Sequence, residues 1–326
     1  MWRLALLALT VLALGPGLFL RTQTGQRSEP AVVTIVPRAD RDGVSGPLAL
    51  TGVWEISTPH GWVGDFSALV PKGSTGLVAG TDRGFLLDID LSGESPRAVA
   101  GSFRFVGVTV RARKEFVDLE SLARDPATGT LWAGFEYNNL VVRYAADGAR
   151  RIAAPPAMAK WRRNSGPEAM VRLADGRFLV IAEGPQKGSQ TLHEALLFRG
   201  DPLAGGKPTV FRLRAPTGYD PIDAAQLPDG RVLILLRRVR YSIPARFDTA
   251  IAIADPREIR DGTLWRMRVI ERLEGGIFAD DFEGLAYVPS AQDPSRGAMW
   301  VITDDNFSIF QRSLLARFAW DGTAVP

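Results

Sequence analysis

The chain has 326 residues, of which 46% are hydrophobic, and it carries a formal net charge of +3 without any long run of basic residues. The charge pattern argues against nucleic-acid binding, and the hydrophobic content is sufficient for a sizeable core. The sequence contains no cysteine, which excludes disulfides, thiolate nucleophiles and zinc–thiolate sites.

The N-terminus has the features of an export segment. Arg3 precedes the apolar run Leu4–Leu14, and the polar stretch Arg21–Glu29 follows. A basic residue before a short apolar run is typical of a secretory signal. We therefore predict that residues 1–22 are a signal peptide or an N-terminal anchor, that residues 23–44 are a linker, and that the protein is exported, either periplasmic or secreted. Contact with the membrane is expected only through this N-terminal segment.

Residues 45–324 are predicted to form one all-β domain built from repeats. Short runs of Val, Ile, Leu, Phe and Trp lie between turn residues, and Asp-Gly pairs recur, as at Asp175-Gly176 and Asp229-Gly230. Asp-Gly favours the tight turns of β-hairpins. The repeats begin, at roughly even spacing, near Ser67, Glu120, Glu168, Asp223 and Glu283.

This pattern predicts a β-propeller of five four-stranded blades, and a sixth blade is left open because Val32–Pro37 and the segment near Lys160 could contribute to one. The last repeat ends without a fourth strand. The segment Leu48–Ser57 is predicted to supply it, so that an N-terminal strand joins the C-terminal blade and covers its open edge.

Each repeat opens on an acidic or polar residue, and its second strand ends on another. The closing residues are Asp82, Glu136, Glu183, Arg237 and Asp304. In an antiparallel pair, the start of one strand and the end of the next lie at the same edge, so these side chains should converge on one mouth of the central channel. Crowded carboxylates repel one another, and a divalent cation relieves that repulsion.

Oxygen ligands without cysteine favour Ca²⁺, with Mg²⁺ and Mn²⁺ left open. The predicted metal ligands are Asp82, Glu120, Glu136, Glu168, Glu183, Glu283 and Asp304. The alternative is a network without metal, in which these acids pair with Arg83, Arg237, Arg238 and backbone amides.

An ordered set of motifs resembles the phytase-like family known as "esterase-like activity of phytase". The motifs include Gly64-Asp65-Phe66-Ser67, Asp118-Leu119-Glu120-Ser121-Leu122-Ala123, Asn164-Ser165-Gly166-Pro167-Glu168-Ala169, Asp281-Phe282-Glu283-Gly284-Leu285-Ala286 and Thr303-Asp304-Asp305-Asn306-Phe307. The resemblance covers nearly the whole chain after the N-terminal segment. It implies an exported bacterial propeller with an acidic, calcium-binding channel.

The leading hypothesis is a hydrolase, a calcium-dependent phosphoesterase that acts at the acidic mouth. The predicted catalytic residues, which would bind metal or orient water, are Glu120, Glu168, Asp223 and Glu283. Arg83, Arg237 and Ser67 are predicted to bind a small anionic ester in a gap of the ring, because arginine can hold such a group with two hydrogen bonds. The protein is expected to be a monomer.

Two alternatives stay open: a non-catalytic binding module stabilised by calcium, and a calcium-dependent esterase or lactonase. A serine hydrolase is less favoured, because the sequence has no Gly-x-Ser-x-Gly motif and its two histidines are His60 and His193. His60 with Ser67 would be the pair to carry that chemistry, whereas His193 is expected at a strand start on the surface.

Overall fold

The computed structural model describes residues 2–14, 30–39, 48–108, 117–242, 244–293 and 295–321. Helix α1 covers Trp2–Leu14. Among the described residues, no helix has the length and hydropathy needed to cross a bilayer. Most of the predicted linker, including Arg21–Glu29, lies outside the described residues, and the part within them contains a strand, Thr34–Pro37.

The described strands form five antiparallel sheets arranged as blades. Blade 1 consists of β3 (Phe66–Pro71), β4 (Gly76–Thr81), β5 (Phe85–Asp90), β6 (Arg97–Ala98) and β7 (Arg104–Phe105). Blade 2 consists of β8 (Leu119–Arg124), β9 (Leu131–Phe135), β10 (Leu140–Tyr144) and β11 (Arg150–Ala153). Blade 3 consists of β12 (Pro167–Arg172), β13 (Phe178–Pro185), β14 (Leu192–Phe198) and β15 (Thr209–Arg214), with β19 (Leu264–Arg266) added in parallel.

The last two blades complete the ring. Blade 4 consists of β16 (Asp220–Gln226), β17 (Val232–Arg240), β18 (Arg246–Ala254) and β20 (Arg268–Glu274). Blade 5 consists of β21 (Asp281–Pro289), β22 (Gly297–Asp304), β23 (Leu314–Trp320), β2 (Ala49–Ser57) and β1 (Thr34–Pro37). The five inner strands β3, β8, β12, β16 and β21 each contact the next around the ring, and β21 returns to β3.

The predicted five-bladed propeller is confirmed for the described residues. Closure occurs as expected, because β2 pairs with β23, with Val53 opposite Ala316. Val32–Pro37, one of the segments considered for a sixth blade, instead adds β1 to the outer edge of blade 5, where Ile35 pairs with Ile56. The outer edge of blade 1 is divided into β6 and β7, and Gly101 between them has a φ of 72°, outside the strand region.

Apolar side chains fill each of the five interfaces between neighbouring blades. Trp132 of blade 2, for example, packs edge-on against Phe178 of blade 3 with ring centroids 4.9 Å apart. Aromatic pairs in this geometry add about 0.5–1.5 kcal/mol beyond the area they bury. The core is therefore distributed around the channel, and it holds the inner strands in a fixed ring.

Tight turns connect the two innermost strands of blades 3 and 4 at the end of the channel remote from the acidic residues. Gly176 and Gly230 in these turns have φ of 88° and 91°. Glycine adopts this left-handed conformation without steric cost, which explains the recurrent Asp-Gly pairs of the sequence.

Candidate metal centre at the mouth of the channel

Each inner strand contains a β-bulge at the same place. In blade 2, Leu119 pairs with Phe135 and Ser121 pairs with Gly134, so Glu120 has no partner in the ladder. A bulge leaves its extra residue unpaired and redirects its side chain. The register gives five equivalent bulge residues: Ser67, Glu120, Glu168, Ile222 and Glu283.

Two further positions in each blade lie beside the bulge. Asp281 pairs with Asp304 in blade 5, and in blade 2 the amide of Glu136 donates to the carbonyl of Asp118 at 2.9 Å. The flanking residues, two before each bulge, are Asp65, Asp118, Gly166, Asp220 and Asp281, and the closing residues are Asp82, Glu136, Glu183, Arg237 and Asp304. We call the end of the channel formed by the bulge, flanking and closing residues the acidic mouth.

The carboxylates of the acidic mouth form overlapping triads. In each triad, one carboxylate oxygen from each residue lies within 4.8 Å of the other two. Asp305, which follows the closing residue Asp304, also takes part. The triads are Asp65–Asp304–Asp305, Asp281–Glu283–Asp304, Asp118–Glu120–Glu136 and Glu136–Glu168–Glu183. Asp304 belongs to the first two and Glu136 to the last two. The carboxylates therefore form two arcs, one on blades 5 and 1 and the other on blades 2 and 3.

Burial raises the pKa of several of these carboxyls well above the ordinary value, and their mutual repulsion adds to the effect. For Glu120 the repelling neighbours are Glu168 and Glu283, and for Glu168 they are Glu183 and Glu136. Burial likewise raises the pKa of Asp304 and Asp82. Asp220, at the edge of the mouth, has its pKa raised to about 6 by burial and by Glu183. The mouth therefore favours positive charge.

Arg237 supplies part of that charge from within the protein. Its Nη2 donates to Glu183 at 2.7 Å, and its Nη1 donates to Asp281 at 3.2 Å and also to Glu283. The Arg237 side chain is 17% exposed. Arg237 therefore joins the two arcs, and its guanidinium is engaged by carboxylates, as the ion-pair alternative proposed.

Arg83 and Ser67 belong to blade 1, which neighbours blade 5 on the side opposite to blade 4 and Arg237. The Nε of Arg83 donates to Asp65 Oδ2 at 3.3 Å, and its guanidinium carbon lies 3.7 Å from the centroid of the Phe307 ring. Ser67 is buried, and its hydroxyl donates to the Leu119 carbonyl at 2.5 Å, which links β3 to β8. Blade 5 lies between these two residues and Arg237 in the ring.

Asp223 does not occupy the position that its spacing predicted. The bulge of β16 is at Ile222, which places Asp223 one residue further along the strand. Its carboxylate accepts hydrogen bonds from the Leu285 amide at 2.6 Å, from its neighbour Ala224 at 2.8 Å and from the backbone of Leu69. Asp223 thus ties together inner strands of blades 4, 5 and 1 below the acidic mouth.

Among the described residues, neither histidine side chain hydrogen-bonds to a serine hydroxyl. His193 is completely buried, which corrects the expected surface position, and its Nδ1 lies 2.6 Å from the Glu183 carbonyl oxygen. His60 contacts Trp62, with ring centroids 5.6 Å apart. The Ser67 hydroxyl is already used as a donor between strands.

The sequence pattern did contain a signal for the acids that were missed. Asp65, Asp118 and Asp281 each stand two residues before a bulge residue, in Asp-x-Ser or Asp-x-Glu, and the residue between is buried in every blade: Phe66, Leu119, Pro167, Pro221 and Phe282. This buried residue packs into the core at the start of the strand. The flanking residue before it and the bulge residue after it therefore both lie at the acidic mouth.

The residues fit a hard divalent cation. The donors are carboxylate oxygens, which Ca²⁺ and Mg²⁺ prefer, and Ca²⁺ accepts six to eight oxygens in flexible geometry. The buried carboxyls of Asp65 and Asp82 lie within hydrogen-bonding reach of one another, so they repel unless a proton or a cation is shared between them. Buried acceptors of this kind are costly unless something neutralises them.

Several solved structures match the chain at low identity. The chain resembles a gluconolactonase, XC5397 from Xanthomonas campestris, at 13% identity with a TM-score of 0.43, covering 90% of this chain and 100% of the other. It also resembles virginiamycin B lyase from Staphylococcus aureus at 8% identity with a TM-score of 0.43, covering 88% and 99%.

Hydrazine synthase from Kuenenia stuttgartiensis matches at 12% identity with a TM-score of 0.40, covering 74% of this chain, and this chain spans 57% of the hydrazine synthase chain. These values carry no inference about function. No curated protein sequence matches the chain. The family model described as "Esterase-like activity of phytase" matches residues 61–307, and the chain therefore belongs to this phytase-like family.

Proposed function

We propose that the protein is a metal-dependent hydrolase that binds Ca²⁺ at the acidic mouth and cleaves a small anionic ester, namely a phosphate ester. The observation that carries the proposal is the set of four overlapping carboxylate triads. Membership of the phytase-like family supports a hydrolase of ester bonds. A bound divalent ion would neutralise the phosphoryl oxygens and activate a water molecule.

The two arcs would hold metal with different residues. Glu136, Glu168 and Glu183 are the ligand candidates on blades 2 and 3, whereas Glu283 and Asp304 are candidates on blade 5. Glu136 and Glu168 are 6% and 7% exposed, so water competes little for their oxygens. Their rigid positions on the ends of strands would favour a fixed metal geometry.

Arg237 would keep the arcs in position. It contacts Glu183 in one arc and both Asp281 and Glu283 in the other, and so limits the mutual repulsion of the carboxylates. We assign Arg237 to positioning, and Arg83 to meeting the anionic group of the substrate. The Arg83 side chain is 26% exposed at the rim, where its stacking on Phe307 holds the guanidinium in place.

The test is a substrate panel with matched variants. Turnover of an aryl phosphate and an aryl acetate is measured with Ca²⁺ and with chelator, for the wild type, Glu168→Gln and Glu283→Gln. Glu94→Gln, which changes an exposed acid in a distant turn, is the control. We expect chelator-sensitive turnover of the phosphate, reduced by at least about 10- to 100-fold in the two mouth variants and unchanged in the control.

The other outcomes separate the alternatives. Chelator-sensitive turnover of the acetate without the phosphate would replace the phosphoesterase with an esterase or lactonase. Calcium-dependent stability without turnover of either ester would indicate a binding module. Full activity of both mouth variants would reject the mouth as the active site.

We also propose that the N-terminal segment directs export. Arg3 near the start of helix Trp2–Leu14, followed by the apolar run Leu4–Leu14 within the same helix, supports this assignment. Fusion of residues 1–30 to a reporter that is active only outside the cytoplasm tests it, and a cytoplasmic fusion product would contradict it.

A further inference from the structure

A second cavity opens at the end of the channel opposite the acidic mouth. It has a volume of about 490 Å³ and is lined by the later residues of all five inner strands. One residue from each strand illustrates its character: Leu69, Leu122, Met170, Ala224 and Leu285. The volume is within the range of about 300–1,000 Å³ that is common for small-molecule sites.

The cavity is separated from the acidic mouth by the centre of the channel. Asp223 lies between the bulge of β16 and the lining residue Ala224, and its carboxylate is satisfied by backbone amides of three strands. At the same level β21 and β3 pack closely together, because a Cβ on Gly284 would lie 2.9 Å from the carbonyl carbon of Ala68. A ligand would therefore enter from the end where the inner strands finish.

Two arginines lie at that entrance. Arg124 and Arg172 end the neighbouring inner strands β8 and β12, and both line the cavity, whereas no Asp or Glu is among the described lining residues. Within the described part of the chain, Arg124 has no ion pair. Arg172 lies 3.6 Å from Asp125, whose oxygens also accept bonds from Ala127 and Thr128.

The geometry points to a binding site for an apolar monocarboxylate. The aliphatic walls would cover an alkyl chain, and the two arginines would hold the carboxylate at the entrance, where a bidentate pair can form. This charge complementarity selects an anion over a neutral or cationic amphiphile. It also places the carboxylate away from Asp223 and from the acidic mouth.

The experiment is calorimetric titration of the full chain with decanoate, in the presence of chelator. Saturable binding is expected, and octanoate, two methylenes shorter, should bind about 16-fold more weakly, since each buried methylene contributes about fourfold. Decanol should bind at least about tenfold more weakly than decanoate, because it cannot form the charge-assisted pair.

Variants identify the site. Arg124→Gln combined with Arg172→Gln should weaken decanoate binding at least about tenfold and remove the preference over decanol. Arg177→Gln is the control, because Arg177 lies in a turn of blade 3, outside the lining, and pairs with Asp175 at 2.8 Å. Absence of decanoate binding, or equal affinity in the double variant, would overturn the proposal. Glu168→Gln should bind decanoate with the same affinity as the wild type. The test of the cavity is therefore independent of the test of metal binding and hydrolysis at the acidic mouth.

Discussion

Arg237 is the internal cation of the acidic mouth, and its replacement by glutamine is the most informative perturbation of the metal-free protein. The substitution removes the charge that three carboxylates share, Glu183 at 2.7 Å, Asp281 at 3.2 Å and Glu283. The carboxylates stay where the fold places them, because the buried residues of the inner strands hold them there. In the variant, the negative charges of these three carboxylates are no longer compensated by the Arg237 guanidinium.

The expected magnitude follows from burial. Removing one partner of a buried ion pair costs about 3–5 kcal/mol, because the remaining charge is desolvated and unpaired. Arg237 is 17% exposed, so solvent screens the lost interactions only in part. We therefore expect Arg237→Gln to lower the free energy of unfolding by about 3–5 kcal/mol at pH 8 in chelator.

The loss should be smaller at pH 5. Burial raises the pKa of Glu283, so at lower pH this carboxyl takes up a proton and no longer needs Arg237. Adding Ca²⁺ at pH 8 should reduce the loss for the same reason. Urea unfolding at the two pH values, with and without Ca²⁺, measures both effects.

Arg257→Gln is the matched control, because Arg257 is 73% exposed and pairs with Asp255 on the surface. It should leave stability nearly unchanged at both pH values. The reasoning is refuted if Arg237→Gln is as stable as the wild type at pH 8, or if its loss is equal at pH 5 and pH 8.

Four further predictions concern other residues of the channel. Glu168→Gln should raise the free energy of unfolding at pH 8 in chelator. Folding raises the pKa of Glu168, so this carboxyl stabilises the folded protein below its unfolded pKa of about 4.3 and loses that contribution as the pH rises. Glutamine mimics the protonated form and therefore keeps the contribution at pH 8. Urea unfolding at pH 5 and pH 8 checks this, and a less stable variant at pH 8 would contradict it. Ser67→Ala should lower stability by about 1 kcal/mol and leave KM unchanged, because the hydroxyl bonds to Leu119; a higher KM at unchanged stability would restore its role with substrate. Asp223→Ala should lower stability by about 1.5–3 kcal/mol, because the buried backbone amides of Leu285 and Ala224 lose their acceptor, while the folded variant keeps its turnover; loss of turnover without loss of stability would make Asp223 catalytic. Gly284→Ala should lower the melting temperature, at a cost of about 1–3 kcal/mol, since its Cβ would lie 2.9 Å from the carbonyl carbon of Ala68; an unchanged melting temperature would show that β3 and β21 can separate there.

The sequence was sufficient for the blades because each strand has a short apolar run and each hairpin has its own turn signal. The closing strand Ala49–Ser57 was also predictable, since the last repeat lacked its outer partner. These features depend on local pattern and on the need to cover a sheet edge.

The bulges were not predictable from that pattern. A bulge inserts one residue in the ladder without any change in composition, so the fourth repeat was aligned on Asp223 although Ile222 holds the equivalent place. The position of His193 was missed for a related reason. The ladder between β13 and β14 is irregular before Pro185, and the imidazole turns inward to the Glu183 carbonyl.

The measurement that tests the central claim most directly is calorimetric titration of the chelator-treated protein with Ca²⁺. We predict saturable binding to the wild type and to Glu94→Gln with equal affinity, and affinity at least about tenfold weaker in Glu168→Gln. The absence of saturable binding to the wild type, or the same affinity in all three proteins, would contradict the assignment of the acidic mouth as a metal centre.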